Sequence, residues 1–266
     1  MAKPSKKPGH QARKRFGQNF LQDQHVIERI ISGINPRPGD RIVEIGPGLG
    51  ALTEPLLEAN EGRLHVVELD RDLIPILRTK FFNYPNFVIH ESDALKFNFD
   101  ELADDDHPIR IVGNLPYNIS TPLIFHLLES IDHLKDMHFM LQKEVVDRMA
   151  AMPGTSAYGR LGIMTQYYCK VQPLFLVGPE AFDPAPKVES AIVRLVPHKT
   201  LPYPVKDMTR LQTIVRVAFT KRRKTLRNAL SGVIPEEAFE ALGIDPGLRP
   251  ENLTLKQFTA LCNWTG

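Results

Sequence analysis

Cysteine is almost absent from this chain of 266 residues, and the two present, Cys169 and Cys262, belong to no CxxC or other metal-ligand spacing. A cysteine-held metal is therefore not expected, and free thiols in a cytoplasmic protein are. Long apolar runs are missing too. None approaches the roughly 18 residues of a membrane span, so no membrane partner is expected. The opening stretch MAKPSKKPGHQARKR lacks the apolar core of a secretory signal. Internal repeats and low-complexity tracts are not found. Hydrophobic residues form 42% of the chain, enough for a full core and too many for wholesale disorder.

Net charge is also scarce, at +2, but it is unevenly distributed. Residues 1–16 carry six Lys/Arg and no acid, and residues 199–230 carry nine Lys/Arg against Asp207 alone, which leaves the remainder at −12. Two basic zones on an acidic body suggest a polyanion bound at defined surfaces.

What is present is a regular alternation. Residues 41–46, 63–68, 86–91 and 109–114 are short β-rich runs, with helix-length segments at 50–60 and 71–82. Strand, glycine turn, helix, strand is the signature of a parallel sheet. Further strand-like runs follow at 137–142, 171–177 and 188–196, with helical patterns at 121–130 and 143–169. The last two runs are joined by a short Pro-rich loop with no room for a crossover helix, so an antiparallel pair is expected there. After Pro197 the texture changes. HKTLPYPVKD reads as a linker, followed by helical patterns at 207–219, 221–231, 235–242 and 254–263, the last with Thr254 as N-cap. The expected organisation is a basic arm (1–16), an α/β domain with a seven-stranded, mostly parallel, Rossmann-like sheet (17–200), and a small all-α domain (201–266). That sheet is the layout of a class I S-adenosylmethionine-dependent methyltransferase.

The run Val43-Glu44-Ile45-Gly46-Pro47-Gly48-Leu49-Gly50-Ala51 ends the first long strand and opens a helix. Glycines here let backbone approach a ligand, and Glu68, about 20 residues on, is placed to accept ribose hydroxyl hydrogens. Gly46, Gly48 and Ala51 also satisfy the dinucleotide fingerprint, so this loop alone does not separate a nicotinamide cofactor from S-adenosylmethionine. Asp93, after the third strand, is placed to accept from an adenine amino group. Glu44 reads as support behind the loop rather than as a ligand.

Asn114-Leu115-Pro116-Tyr117 closes the fourth strand. The lone pair of an exocyclic aromatic amine is delocalised into the ring and is a poor nucleophile. Two acceptors holding its hydrogens, the Asn114 amide oxygen and the Leu115 carbonyl, push the nitrogen towards sp3. Pro116 stiffens the loop. Tyr117 offers a π-face to a flipped base, worth roughly 1–3 kcal/mol. No metal and no nucleophilic side chain is required, because the work is positioning for in-line attack. A dehydrogenase has no use for this motif.

These residues and their surroundings resemble the ribosomal RNA adenine dimethyltransferase family, the kasugamycin-sensitivity dimethyladenosine transferases of the bacterial small subunit. The resemblance runs through FGQNFL (16–21), VEIGPGLGALT (43–53), VELD (67–70), SDAL (92–95), GNLPYNIST (113–121), HFMLQKEV (138–145), AFDPAPKVESAIVRL (181–195) and FTKRRKTLRNAL (219–230). It implies N6,N6-dimethylation of adenosines, two adjacent ones near the 3′ end of 16S rRNA, with S-adenosylmethionine as donor and a role in subunit biogenesis. It further implies that Asn19 and Leu21 contact the methionine end of the donor, Gly46 and Gly48 its cradle, Glu68 the ribose and Asp93 the adenine. Asn114 would touch both donor and target, and Phe182 would face Tyr117 as the second wall of an aromatic clamp. Lys187 and Ser190 lie in the same motif without a firm role.

Lys221, Arg222, Arg223, Lys224 and Arg227 form the densest positive cluster. With Arg223 and Arg227 at i, i+4 on one helical face, Arg222, Arg223, Lys224 and Arg227 are the expected phosphate contacts. Arg13, Lys14 and Arg15 are expected to fold over the site when RNA arrives. The expected partner is 16S rRNA in the small subunit or its precursor, bound by a monomer. Two other readings stand beside this one. A DNA adenine-N6 methyltransferase needs a target-recognition domain that the C-terminal segment does not suggest. A ribosome-assembly factor without turnover would have no need of intact Asn114, Tyr117, Glu68 and Asp93.

Overall fold

The computed structural model describes residues 18–104 and 106–266. The basic arm expected at 1–16, with Arg13, Lys14 and Arg15, lies outside the described residues. By its contacts the chain divides into two compact units. One runs up to Lys143 and resumes over Pro173–Arg194, and the other takes Glu144–Gln172 and Leu195–Gly266.

The first unit begins with β1 (Phe20–Leu21) and α1 (Gln24–Ile34). The Asp23 carboxylate accepts the Val26 N–H at 3.1 Å and so caps α1. Asn35 ends the helix in the left-handed conformation, and Ile27, Ile30 and Ile34 form its buried stripe. A βα alternation follows, of β2 (Arg41–Ile45), α2 (Thr53–Ala59), β3 (Leu64–Glu68), α3 (Leu73–Lys80), β4 (Phe87–Glu91), β5 (Ile109–Asn114), α4 (Ser120–Glu129) and β6 (Leu134–Gln142). With β7 (Cys169–Val177) and β9 (Ser190–Pro197) these strands make a seven-stranded sheet in the order β4-β3-β2-β5-β6-β9-β7. The pairs β2/β3, β3/β4, β2/β5 and β5/β6 are parallel. The inner strands β2, β3 and β5 are buried almost end to end, because helices cover such a sheet on both faces, whereas β4 at the edge is partly exposed.

Strand order reverses beside β2, since β3 and β4 lie to one side and β5 and β6 to the other. Ile45, Glu68 and Asn114 all end their strands at the crevice that such a reversal opens. A separate two-residue ladder pairs β1 with β8 (Phe182–Asp183), matching Leu21 to Phe182. Two motifs some 160 residues apart in sequence thus meet beside the crevice.

The second unit contains α5 (Lys143–Met149), whose residues from Glu144 onward belong to it, α6 (Arg160–Tyr168), α7 (Met208–Thr220), α8 (Leu226–Ala229), α9 (Glu236–Leu242) and α10 (Leu255–Asn263). Thr254 caps α10 in a reciprocal capping box with Gln257. The sequence texture suggests one helix over 143–169 and a boundary near 200. Instead Pro153, Gly154 (φ +86°) and Gly159 interrupt the helix. The segments on either side join the later helices. The Tyr158 hydroxyl donates to the Leu253 carbonyl at 2.8 Å, Gly154 N–H donates to the Glu251 carbonyl at 2.7 Å, and the rings of Tyr158, Phe219 and Phe258 pack in series.

The helix expected over 221–231 is also shorter. Residues 221–224 form a turn, and only Leu226–Ala229 are helical. The N–H groups of Leu226 and Arg227 donate to the carbonyls of Leu248 and Pro246, so a distant loop takes the donors that would extend the helix backwards. Arg223 and Arg227 therefore do not share one helical face.

Candidate active site

A cavity of about 630 Å³ opens at the strand ends, within the size range of small-molecule sites. Asn19, Leu21, Gly46, Gly48, Glu68, Asp93, Asn114, Leu115, Pro116 and Tyr117 all line it. These residues come from five separate stretches of sequence, and the strand reversal brings them to one place.

The glycine loop forms one wall. Gly46 N–H donates to the Val67 carbonyl at 2.9 Å, which ties the loop to the end of β3. Gly48 has φ +58°, and a Cβ there would sit 3.1 Å from the Phe20 ring, so the loop and β1 approach as closely as glycine allows. At Gly113, one residue before Asn114, a Cβ would lie 2.6 Å from the Ile45 carbonyl oxygen. A side chain there would force apart the two strands on which the site is built.

Glu68 is buried, and its carboxylate accepts the main-chain N–H groups of Asp70, at 2.8 Å, and of Gly48. Burial pushes this carboxyl above its ordinary value, and three main-chain amides, those of Asp70, Leu69 and Gly48, act in the opposite direction. Asp93 uses one oxygen to accept Leu95 N–H at 3.0 Å, a turn cap that also aims the carboxylate at the cavity. Glu44 lies behind the loop, 2% exposed, and accepts the Thr53 hydroxyl at 2.7 Å. Burial, reinforced by the charge of Glu68 and opposed by the Thr53 hydroxyl, raises its pKa to about 7.

Asn114 is oriented by a specific contact. Its Nδ2 donates to the Asn19 main-chain carbonyl at 3.2 Å, which leaves Oδ1 as the acceptor available to the cavity. In the loop that follows, the Pro116 carbonyl accepts Ile119 N–H and the Tyr117 carbonyl accepts the Ser120 hydroxyl. The Leu115 carbonyl accepts no hydrogen bond among the described residues. Tyr117 is half-buried, and its hydroxyl lies 2.7 Å from Ser190 Oγ. Desolvation raises the Tyr117 pKa, so the phenol stays protonated near neutrality.

Phe182 differs from the expectation of a clamp. It does not line the cavity. It is 6% exposed and sits in the hydrophobic core with Leu21, Ile27 and Ile192. Its main chain pairs with Leu21 in the β1/β8 ladder, and both residues belong to the same core cluster.

Several lining residues escaped sequence reasoning. Gln18 donates to Asp70 at 2.8 Å and links the segment before β1 to the turn after β3. Lys80 also lines the cavity and is paired with Glu54 at 3.2 Å. Among the described residues the lining holds four acids, Glu44, Glu54, Glu68 and Asp93, and one lysine; Lys80 neutralises Glu54 and burial favours the protonated form of Glu44, so Glu68 and Asp93 are the acids that set the charge facing a ligand. Such a field favours a cationic sulfonium over the pyrophosphate of a nicotinamide cofactor.

In the second unit, Arg222 is held by Glu251 at 2.7 Å and by the Thr155 carbonyl at 3.3 Å, and Arg227 by Glu236 at 2.6 Å. Arg223 and Lys224 are exposed, with no ion pair among the described residues.

Residues 9–265 match the family model described as ribosomal RNA adenine dimethylase. The chain belongs to the ribosomal RNA adenine dimethylase family. It is 68% identical over 259 residues to the ribosomal RNA small subunit methyltransferase A of Marinobacter nauticus, covering 97% of this chain and 93% of that one. It is 60% identical to the protein of the same name from a Marinomonas species, covering 98% and 97%. Among solved structures, a dimethyladenosine transferase from Plasmodium falciparum aligns with TM-score 0.79 and 28% identity, over 91% of this chain and 95% of that one. The 23S rRNA methyltransferase ErmE aligns with TM-score 0.70 and 27% identity, over 91% and 98%. The fold is that of the class I S-adenosylmethionine-dependent methyltransferases, and the chain is an rRNA adenine dimethyltransferase with S-adenosylmethionine as methyl donor. No helix among the described residues is long and apolar enough to cross a membrane.

Proposed function

We propose that this enzyme dimethylates N6 of two adjacent adenosines near the 3′ end of 16S rRNA, acting on the small subunit or its precursor in the cytoplasm as a monomer. The observation that supports the residue assignment is the Asn114 amide, which lines the cavity and is tied through Nδ2 to the Asn19 carbonyl, leaving Oδ1 to accept. Bound in that cavity, S-adenosylmethionine supplies an electrophilic methyl on a cationic sulfur. Glu68 accepts from its ribose hydroxyls and Asp93 from its adenine amino group. Asn19 and Leu21 flank the methionine end, and Gly46 and Gly48 provide the close backbone approach. An acidic lining, with Glu68 and Asp93 unpaired by any lysine among the described residues, fits the positive charge of such a donor.

The target base stacks on Tyr117, and Pro116 holds the loop that presents it. Asn114 Oδ1 and the Leu115 carbonyl accept the two N6 hydrogens and localise the lone pair on nitrogen. Each transfer would form one N–C bond as the sulfur–methyl bond of the donor breaks, leaving a neutral thioether, and the amine would give up one proton to solvent, so no nucleophilic side chain is needed. Arg223 and Lys224 supply phosphate contacts, and Arg222 and Arg227 border them. The name shared by the Marinobacter and Marinomonas relatives supports small-subunit ribosomal RNA as the substrate, and on this reading the reaction is a step in small-subunit biogenesis.

The test is incubation with unmethylated small-subunit particles and labelled S-adenosylmethionine, followed by mass spectrometry of RNA fragments. The expected result is label in two neighbouring dimethyladenosines near the 3′ end of 16S rRNA. Label confined to 23S RNA or to DNA would overturn the assignment.

A further inference from the structure

Ser190 takes no part in the reaction scheme above, yet it is fully buried at the start of β9, and its Oγ lies 2.7 Å from the Tyr117 hydroxyl across 73 residues of sequence. Both partners are fixed. The Glu189 carbonyl accepts Lys143 N–H at 3.0 Å, which anchors the backbone beside Ser190 to the first residue of α5, directly after β6. The Ser120 hydroxyl donates to the Tyr117 carbonyl at 3.1 Å, which anchors the other end of the tyrosine. Tyr117 is thus held both at its main chain and at the tip of its ring. A phenylalanine would pack equally well, and the ring's apolar surface does not account for a hydroxyl matched to a buried serine.

We propose that Ser190 is a positioning residue for dimethylation, and that it matters more for the second methyl transfer than for the first. The inference rests on the reading of Tyr117 as the surface on which the target base stacks. In the first transfer the amine carries two hydrogens, and Asn114 Oδ1 and the Leu115 carbonyl each accept one. After that transfer a single hydrogen remains, and half of this polar hold is gone. The amine is also larger by a methyl group. Alignment of the base then depends more on the plane of the Tyr117 ring, which the Ser190 contact sets. A base that tilts on an untethered ring departs from in-line geometry, where small displacements are costly.

The experiment compares wild type, Ser190→Ala, Tyr117→Phe and the double variant on unmethylated small-subunit particles at saturating S-adenosylmethionine. Monomethyl- and dimethyladenosine are resolved in time by mass spectrometry. Both single variants are expected to accumulate monomethyladenosine, with the second transfer slowed about tenfold, the scale of one lost hydrogen bond. The first transfer should slow less, and donor affinity by calorimetry should be unchanged. The double variant should be no worse than either single one, because both remove the same contact.

A wild-type product profile for Ser190→Ala would overturn the inference, as would additive losses in the double variant or equal slowing of both transfers. If Ser190→Ala fails to fold, Tyr117→Phe carries the test alone, and a wild-type profile there overturns it. Tyr117→Ala separates the two layers. Full dimethylation by Tyr117→Ala would remove the stacking reading and this inference together. An inactive Tyr117→Ala alongside an unaltered Ser190→Ala would remove only the inference.

Discussion

An asparagine side chain can present either its oxygen or its nitrogen, and at Asn114 the Asn19 carbonyl makes the choice. Asn114→Ala should lower the single-turnover rate by roughly 10²–10³-fold, the range seen when one preorganised polar group is lost from an active site, while the fold persists. Asn114→Asp is the sharper test. It keeps an acceptor but loses the N–H that bonds to Asn19, and it faces that carbonyl with a charge. It should also fail, and a wild-type rate for Asn114→Asp would show that the Asn19 tether is irrelevant.

Glu44 carries a different prediction. Its pKa of about 7 lies above the ordinary 4.5, so the folded protein retains a proton that the unfolded chain releases between those values. Its contribution to stability is full below about 4.5, declines as the pH rises towards 7 and then levels off. Glu44→Gln, which keeps an acceptor for Thr53, should remove that decline. Urea unfolding at pH 5 and pH 8 should show the wild type losing up to about 3 kcal/mol more than the variant across the interval. Equal losses would mean that Glu44 titrates normally. At this scale the local motifs were legible. Glu68 and Asn114 announce themselves by type and by position at strand ends. The bond from Tyr117 to Ser190 did not, because no spacing rule relates residues that only the sheet order brings together.

Among the elements, the strands of the parallel sheet were legible because strands buried on both faces are written as continuous apolar runs. The helix α1 was overlooked although its signals are present in the sequence, namely the Asp23 cap and the isoleucines at 27, 30 and 34. The split between α5 and α6 was likewise written in Pro153 and Gly154. The shortness of α8 was not, since the carbonyls of Pro246 and Leu248 that capture its N–H groups lie some 20 residues further on. The ladder of β1 with β8 belongs to the same class of non-local contact, and it changes what Phe182 is expected to do. As a core residue behind Leu21, Phe182→Ala should cost about 3–5 kcal/mol of unfolding free energy, the usual range for deleting a buried ring. Donor affinity should fall with it as the β1 wall loosens. Denaturant unfolding decides the matter. Undiminished stability with selective loss of RNA target capture would restore Phe182 to the aromatic clamp that sequence resemblance implies.

Over the whole molecule, charge is divided as the composition suggests, but fewer cations are available than a count gives. The cavity is lined by residues of the first unit and is acidic. In the second unit Arg222 and Arg227 already neutralise Glu251 and Glu236, whereas Arg223 and Lys224 face solvent. Replacing all of them would confuse lost phosphate contacts with broken ion pairs. Arg223→Ala with Lys224→Ala removes two free cations and leaves both pairs intact. Affinity for the small-subunit particle should fall, and log K against log salt should become shallower by somewhat less than two units, because each phosphate contact contributes about 0.7–0.9. Donor affinity should not change, since neither side chain lines the cavity. Arg222→Ala alone should behave differently. It frees Glu251 and the Thr155 carbonyl, so its first effect should be a lower melting temperature, with little change in salt slope. Titrations of each variant at several salt concentrations, beside thermal melts and donor calorimetry, separate these outcomes. If the Arg223, Lys224 pair bound the particle with an unaltered slope, phosphate contact would have to be assigned elsewhere, and the basic turn would be no more than a solvated surface.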